Sequence, residues 1–383
     1  MKGKLRQENI EEIKKQYNEI QKILKETEDI EKKEEIRNKL KSLIKRILKL
    51  EKKEMSLEEL SAYYRELRKI SYENKYPVKG IEIRKKLHVL TRQIVKLEKL
   101  LSNYSVKILS DERIKTNKPK VYVVTHVARY DIEASIEAIK ENAFILWGDV
   151  GELYRRPEML LLKAIGIIPV DVEVKDENNQ QEVESIKEDK HISLETMIKV
   201  LKQKGNVELF PEGAWNITDN MVVMKLFSGA VEAAIRGEAD IIPVAIDKDK
   251  NNNYYVKIGK NIDTSNMKLE DKKQEAENLR SILAGLKYDI WEEIAKVEGP
   301  TMRSEMPSDA REQYINDIMK DSDNDYTIES IEKTRYKEKG VTSPEEAFAH
   351  LGRIQVNKNT AFLFKDANEY QRKERAKMLI KNR

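Results

Sequence analysis

The chain has 383 residues, 37% of them charged and 39% hydrophobic, with a formal net charge of +4 and no cysteine. That length suits one large domain with additions, or two domains, and the apolar share is enough for a core. So small a net charge gives no global electrostatic case for a nucleic-acid partner, and the lack of cysteine removes disulfides, thiolate nucleophiles and thiolate metal sites.

The N-terminus has no apolar h-region, so no signal peptide is expected. The most apolar segment, residues 159–170, is broken by Lys163 and Pro169. It falls short of the ~18–20 apolar residues of a membrane-spanning helix. Any membrane contact is therefore expected from the surface.

Residues 1–75 read as a charged helical or coiled-coil extension. Ile10, Ile13, Tyr17, Ile20, Ile23 and Leu24 recur at helical spacing, as do Ile36, Leu40, Leu43, Ile44, Ile47 and Leu48. Between positions 37 and 53 the polar face is almost wholly basic, which fits a helix packed on a partner or one lying on an anionic bilayer. Ser56 with Glu59 forms a capping box that starts the next helix. After Pro77 and Gly80, residues 81–101 form another amphipathic helix. Ile83, Leu87, Leu90, Ile94, Leu97 and Leu101 lie on one side, and Arg84, Lys85, Lys86, Arg92, Lys96 and Lys99 on the other.

From about residue 105 to 260, strand-like and helix-like runs alternate. Strands are expected at 121–125, 143–147, 167–172, 207–210, 241–246 and 254–258, and helices at 132–140, 157–165, 192–204 and 225–236. Residues 174–190, acidic and rich in amides, read as a surface insertion. Alternation of this kind predicts an α/β fold with a mostly parallel central sheet flanked by helices. Long helical segments follow between 267 and 297. The expected organisation is an extension over 1–75, an α/β domain with its leading amphipathic helix over 76–298, and a charged helical C-terminal extension over 299–383.

Of four histidines (His88, His126, His191 and His350), only His126 sits where an apolar strand gives way to a polar turn, and Asp131 follows five residues later. An imidazole titrates near ~6.5 and can take a proton from an alcohol, while a carboxylate beside it fixes the tautomer and stabilises the imidazolium. Taken alone, the pair also reads as a helix N-cap beside a core histidine. Phe210-Pro-Glu-Gly213 presents Glu212 at the end of another strand, and Gly166 to Asp171 and Ile241 to Val244 complete a series of blocks. In an α/β sheet the ligand crevice lies at the carboxyl ends of the strands, where His126 and Glu212 both fall.

In these blocks the chain resembles the glycerolipid (1-acylglycerol-3-phosphate, or lysophospholipid) acyltransferase superfamily, over about residues 100–260. His126 and Asp131 match its H-x4-D block, and Phe210 to Gly213 its F-P-E-G block. The run from Glu152 to Asp171 is similar to the segment leading to its G-x-I-P-hydrophobic-D, and Lys225 lies near its helix-opening lysine. The resemblance implies transfer of a fatty acyl group from an acyl thioester, on CoA or acyl carrier protein as co-substrate, to a hydroxyl of a glycerophosphate or lysolipid. His126 is then the general base and Asp131 its partner. Glu212 and Gly213 then shape the acceptor site, and Lys225, Arg129, Arg155 and Arg156 are the candidate cations for an acceptor phosphate. No cofactor or metal is implied. The expected location is cytoplasmic, peripheral at the inner face of an anionic membrane.

The chain departs from the pattern twice. Ala214-Trp215 stands where the superfamily continues Thr-Arg, and Val172 replaces the arginine after the third-block aspartate. A glycolipid or sugar hydroxyl as acceptor therefore stays open, as does a non-catalytic lipid-binding scaffold built on the same core.

Overall fold

The leading helices form because Ile and Leu recur on one stripe of each while Lys and Glu fill the rest. In a computed structural model, which describes residues 2–148, 166–170, 180–213, 215–216 and 223–298, they are α1 (Lys2–Glu26), α2 (Ile30–Glu51) and α3 (Leu57–Glu73). Ile13, Leu40, Ile44, Ile47, Leu60 and Ile70 meet in one core. The cations of α2 at Lys45, Arg46 and Lys49 face outward, so its apolar stripe serves packing. Asp29 caps α2 by accepting from the Glu31 and Lys32 amides, and Ser56 and Glu59 make the expected reciprocal capping box of α3.

The chain divides into two compact units. One comprises Met1–Ile81 with Leu146–Lys199, and the other Glu82–Ile145 with the described residues from Val200 onward. The first unit also holds β4 (Ile167–Pro169) and most of α6 (Gln180–Lys202). Helix α6 corrects the reading of an insertion up to residue 190. Its first turns are held by burial of Ile186 and by Arg68 of α3, which donates to Asp189 at 2.6 and 2.9 Å. Such tertiary support leaves no local signature in an acidic, amide-rich stretch.

The second unit opens with α4 (Ile81–Leu101) and carries β1 (Ser105–Asp111), β2 (Lys120–Val124), α5 (Asp131–Ile139), β3 (Ala143–Trp147), β5 (Asn206–Leu209), α7 (Gly229–Gly237), β6 (Asp240–Lys248), β7 (Asn253–Ile258) and α8 (Lys272–Glu298). Its strands follow the order β1-β7-β6-β2-β5-β3. All neighbours are parallel except β6 and β7, so the fold is α/β with a mostly parallel sheet. Strand β1 was not foreseen: it is an edge strand, nowhere fully buried, and its alternation is correspondingly weak. Helix α7 begins at Gly229, which leaves Lys225 on the preceding loop.

Alternation along β6 and β7 divides the core. Ile242, Val244, Tyr254 and Val256 pack with Ala134 and Ala138 of α5, whereas Ala245 and Tyr255 pack with Ile290 and Ile294 of α8. With helices on both faces, the central strand β2 is buried throughout. The expected helix over 157–165, the residues around Asp171 and the whole 299–383 extension lie outside the described residues.

Candidate active site

Strand β2 ends at Val124, but its pairing with β6 continues one residue further. The Thr125 amide donates to the Val244 carbonyl at 3.1 Å. The Thr125 hydroxyl donates to the Ile246 carbonyl at 3.0 Å and accepts from the Ile246 amide at 2.8 Å. His126 therefore leaves the sheet from a fixed backbone. Its ring is partly exposed, at 23% of the side chain, while Asp131 is buried.

The imidazole Nδ1 lies 3.0 Å from Asp131 Oδ2. The same oxygen accepts from the Val127 amide at 2.5 Å and the Ala128 amide at 2.9 Å. These amides belong to the turn before α5, so Asp131 is no helix N-cap; it folds the turn back and points one oxygen at the histidine. Asp131 Oδ1 is buried with no hydrogen-bond partner. With Nδ1–H donating to the carboxylate, Nε2 carries the lone pair of the neutral ring.

The neighbouring strand β5 supplies the second half of the site. A turn at Pro211–Gly213 follows it, closed by the Gly213 amide donating to the Phe210 carbonyl at 2.9 Å. Gly213 has φ +70°, a conformation that glycine adopts without strain. Glu212 is buried, and both its oxygens accept backbone hydrogen bonds: Oε1 from the His126 amide at 2.9 Å and Oε2 from the Met224 amide at 2.8 Å. The Asn216 amide donates to the His126 carbonyl at 2.8 Å, so the histidine's peptide groups are held on both sides. Phe210 lies against the imidazole with ring centres 4.7 Å apart, and Trp215 stands edge-on at 6.0 Å.

The sequence-predicted site residues thus fall in different places. His126 and Asp131 meet, and Glu212 and Gly213 sit beside them. Lys225, half-buried, follows Met224 on the loop that Glu212 grips. Arg129 is exposed on the turn between His126 and Asp131, its guanidinium 5.7 Å from the Tyr130 ring centre. Arg155 and Arg156 lie outside the described residues.

Sequence reasoning passed over two further features. The Phe210 ring was available from the F-P-E-G block itself. Glu133, one turn into α5, had no local signal: its Oε2 is buried without a partner. Burial, and then the Glu98 and Asp131 carboxylates, push its pKa up to about 8. No group of acidic or histidine side chains among the described residues could hold a metal ion.

A histidine–carboxylate pair thus stands at the carboxyl edge of a mostly parallel α/β sheet, where such sheets bind their ligands. Residues 105–247 match the family model described as Acyltransferase. The matched segment holds His126, Asp131 and Glu212. No curated protein matches the chain. Among solved structures, the chain is similar to the 1-acyl-sn-glycerophosphate acyltransferase PlsC from Thermotoga maritima, at 16% identity and a TM-score of 0.39, over 54% of this chain and 82% of that one.

Proposed function

We propose that this chain transfers a fatty acyl group from an acyl thioester, acyl-CoA or acyl-ACP, to a hydroxyl of a glycerophosphate or lysolipid. The observation that carries the reading is the His126 Nδ1 to Asp131 Oδ2 contact of 3.0 Å within the segment that matches the acyltransferase model. His126 Nε2 takes the proton from the acceptor hydroxyl as its oxygen attacks the thioester carbonyl carbon. Collapse of the tetrahedral intermediate breaks the C–S bond, and the imidazolium returns the proton to the departing thiolate. Asp131 holds the tautomer and stabilises the imidazolium. Glu212 acts by bracing the backbone, and Gly213, Lys225 and Arg129 serve the acceptor or donor, with Arg155 and Arg156 as further cations.

The enzyme works from the surface of an anionic membrane, on its inner face. No helix among the described residues is long and apolar enough to cross a bilayer. Support for surface attachment comes from α4, whose Ile83, Leu90, Leu97 and Leu101 are exposed in one row, with Lys85, Lys86 and Lys96 exposed around them.

Trp215 favours a second reading of the acceptor. An indole edge-on to His126, where the superfamily has a phosphate-binding arginine two residues after the glycine, suits a sugar or glycolipid hydroxyl.

Purified protein is tested with acyl-CoA or acyl-ACP against glycerol phosphate, lysolipids and glycolipids, with products read by mass spectrometry. Wild type forms an acylated product and His126→Ala does not. Activity that survives His126→Ala unchanged rejects the mechanism, and the accepted substrate decides between the two acceptor readings.

A further inference from the structure

Helix α4 is turned opposite to an ordinary surface helix, which buries its apolar stripe. Here an apolar row faces out, and the buried side mixes Ile81 and Val95 with polar groups: His88 and Thr91 are buried, and Arg84 and Arg92 are half-buried. Arg84, His88 and Arg92 follow one another at four-residue intervals, so they stack along one side of the helix.

None of the three basic groups is neutralised there. Both ring nitrogens of His88 are buried without a hydrogen-bond partner. The Arg84 guanidinium lies over the Phe144 ring of β3, 4.8 Å from its centre. Neither Arg84 nor Arg92 pairs with a carboxylate among the described residues. Glu141 is the acid whose charge reaches His88, but Lys120 Nζ already binds both its oxygens, at 2.7 and 2.8 Å. Asn206 donates to it at 3.3 Å, and Arg113 lies at 3.7 Å. The Thr91 hydroxyl donates to the Leu87 carbonyl.

Buried donors without acceptors, and half-buried cations without counter-charge, are costly. One anion with several oxygens would satisfy all three groups together. We propose that the buried side of α4 binds a phosphate group between Arg84 and Arg92, with His88 at its centre. Phosphate suits the donors because guanidinium forks bind its oxygens in pairs while the imidazole N–H takes a third. None of these residues belongs to the His126–Asp131 site, and the inference does not depend on the acyl-transfer reading.

The test uses the full chain and inorganic phosphate, followed by the NMR signals of the His88 imidazole and by calorimetry. Wild type gives a saturable response at His88. Arg84→Gln and Arg92→Gln each weaken it about tenfold or more, whereas Lys115→Ala, an exposed cation outside α4, leaves it unchanged. Vesicles of phosphatidylglycerol, compared with phosphatidylcholine, separate the possible sources. A His88 response to phosphatidylglycerol alone, lost in both arginine variants, assigns the phosphate to a lipid headgroup. A response to inorganic phosphate assigns it to a free ligand. A wild-type His88 ring that answers neither probe, or a response equal in all variants, overturns the proposal. The wild-type arm decides this even if a variant fails to fold.

Discussion

At the residue scale, two carboxylates divide the work of the site. Asp131 faces the imidazole directly, and Glu212 touches only backbone, at His126 and Met224. Their substitutions should therefore differ in kind. Asp131→Asn keeps the shape but presents an amide to Nδ1, and kcat should fall on the order of 10²–10⁴-fold. Glu212→Gln places an amide N–H₂ against one of two backbone donors and lets the histidine turn shift. Misplacement of a catalytic group costs about 10²-fold, so kcat should drop while KM for the acceptor holds. Steady-state kinetics of both variants checks this; a rise in KM at unchanged kcat for Glu212→Gln would instead make its carboxylate a substrate ligand.

At the element scale, α4 sets two faces against each other. Substituting Leu90→Glu with Leu97→Glu should abolish binding to phosphatidylglycerol vesicles in a sedimentation assay. Because both side chains are exposed, the thermal midpoint should stay near wild type. Wild-type binding should weaken as salt rises, because the cations around the apolar row act through screened charge. Binding that persists in the double variant would locate the membrane contact elsewhere. The helix itself was legible from residues 81–101, whereas its orientation was not: amphipathic spacing says that two faces differ, and packing decides which one is covered.

At the scale of the whole molecule, buried acids tie stability to pH. Burial raises Glu133 to about 8 and Glu208, which accepts from the Ser135 hydroxyl, to about 7. Both are protonated in the folded chain well above the ordinary carboxylate range of an unfolded one. Their contribution is fully present below about pH 4.5 and is lost as pH rises through about 7 to 8. Glu133→Gln, which cannot ionise, should therefore raise the thermal midpoint at pH 9 by several degrees more than at pH 5. Melting curves across that range check the sign; equal shifts at both pH values would mean Glu133 is not the titrating group.

The α/β alternation, the capping box at Ser56 and the His126–Asp131 spacing were all readable in the chain, because each depends on neighbours a few residues apart whose geometry the backbone dictates. The helical start of α6 escaped because Arg68 supports it from 121 positions away. The sequence by itself determined that a histidine and a carboxylate flank one strand exit. Only the tertiary structure decided that Glu212, 86 positions on, would brace that histidine, since parallel pairing of β2 with β5 brings the two strand ends together. It also decided that α4 would bury His88 and half-bury Arg84 and Arg92, because which side of a helix is covered depends on what packs against it.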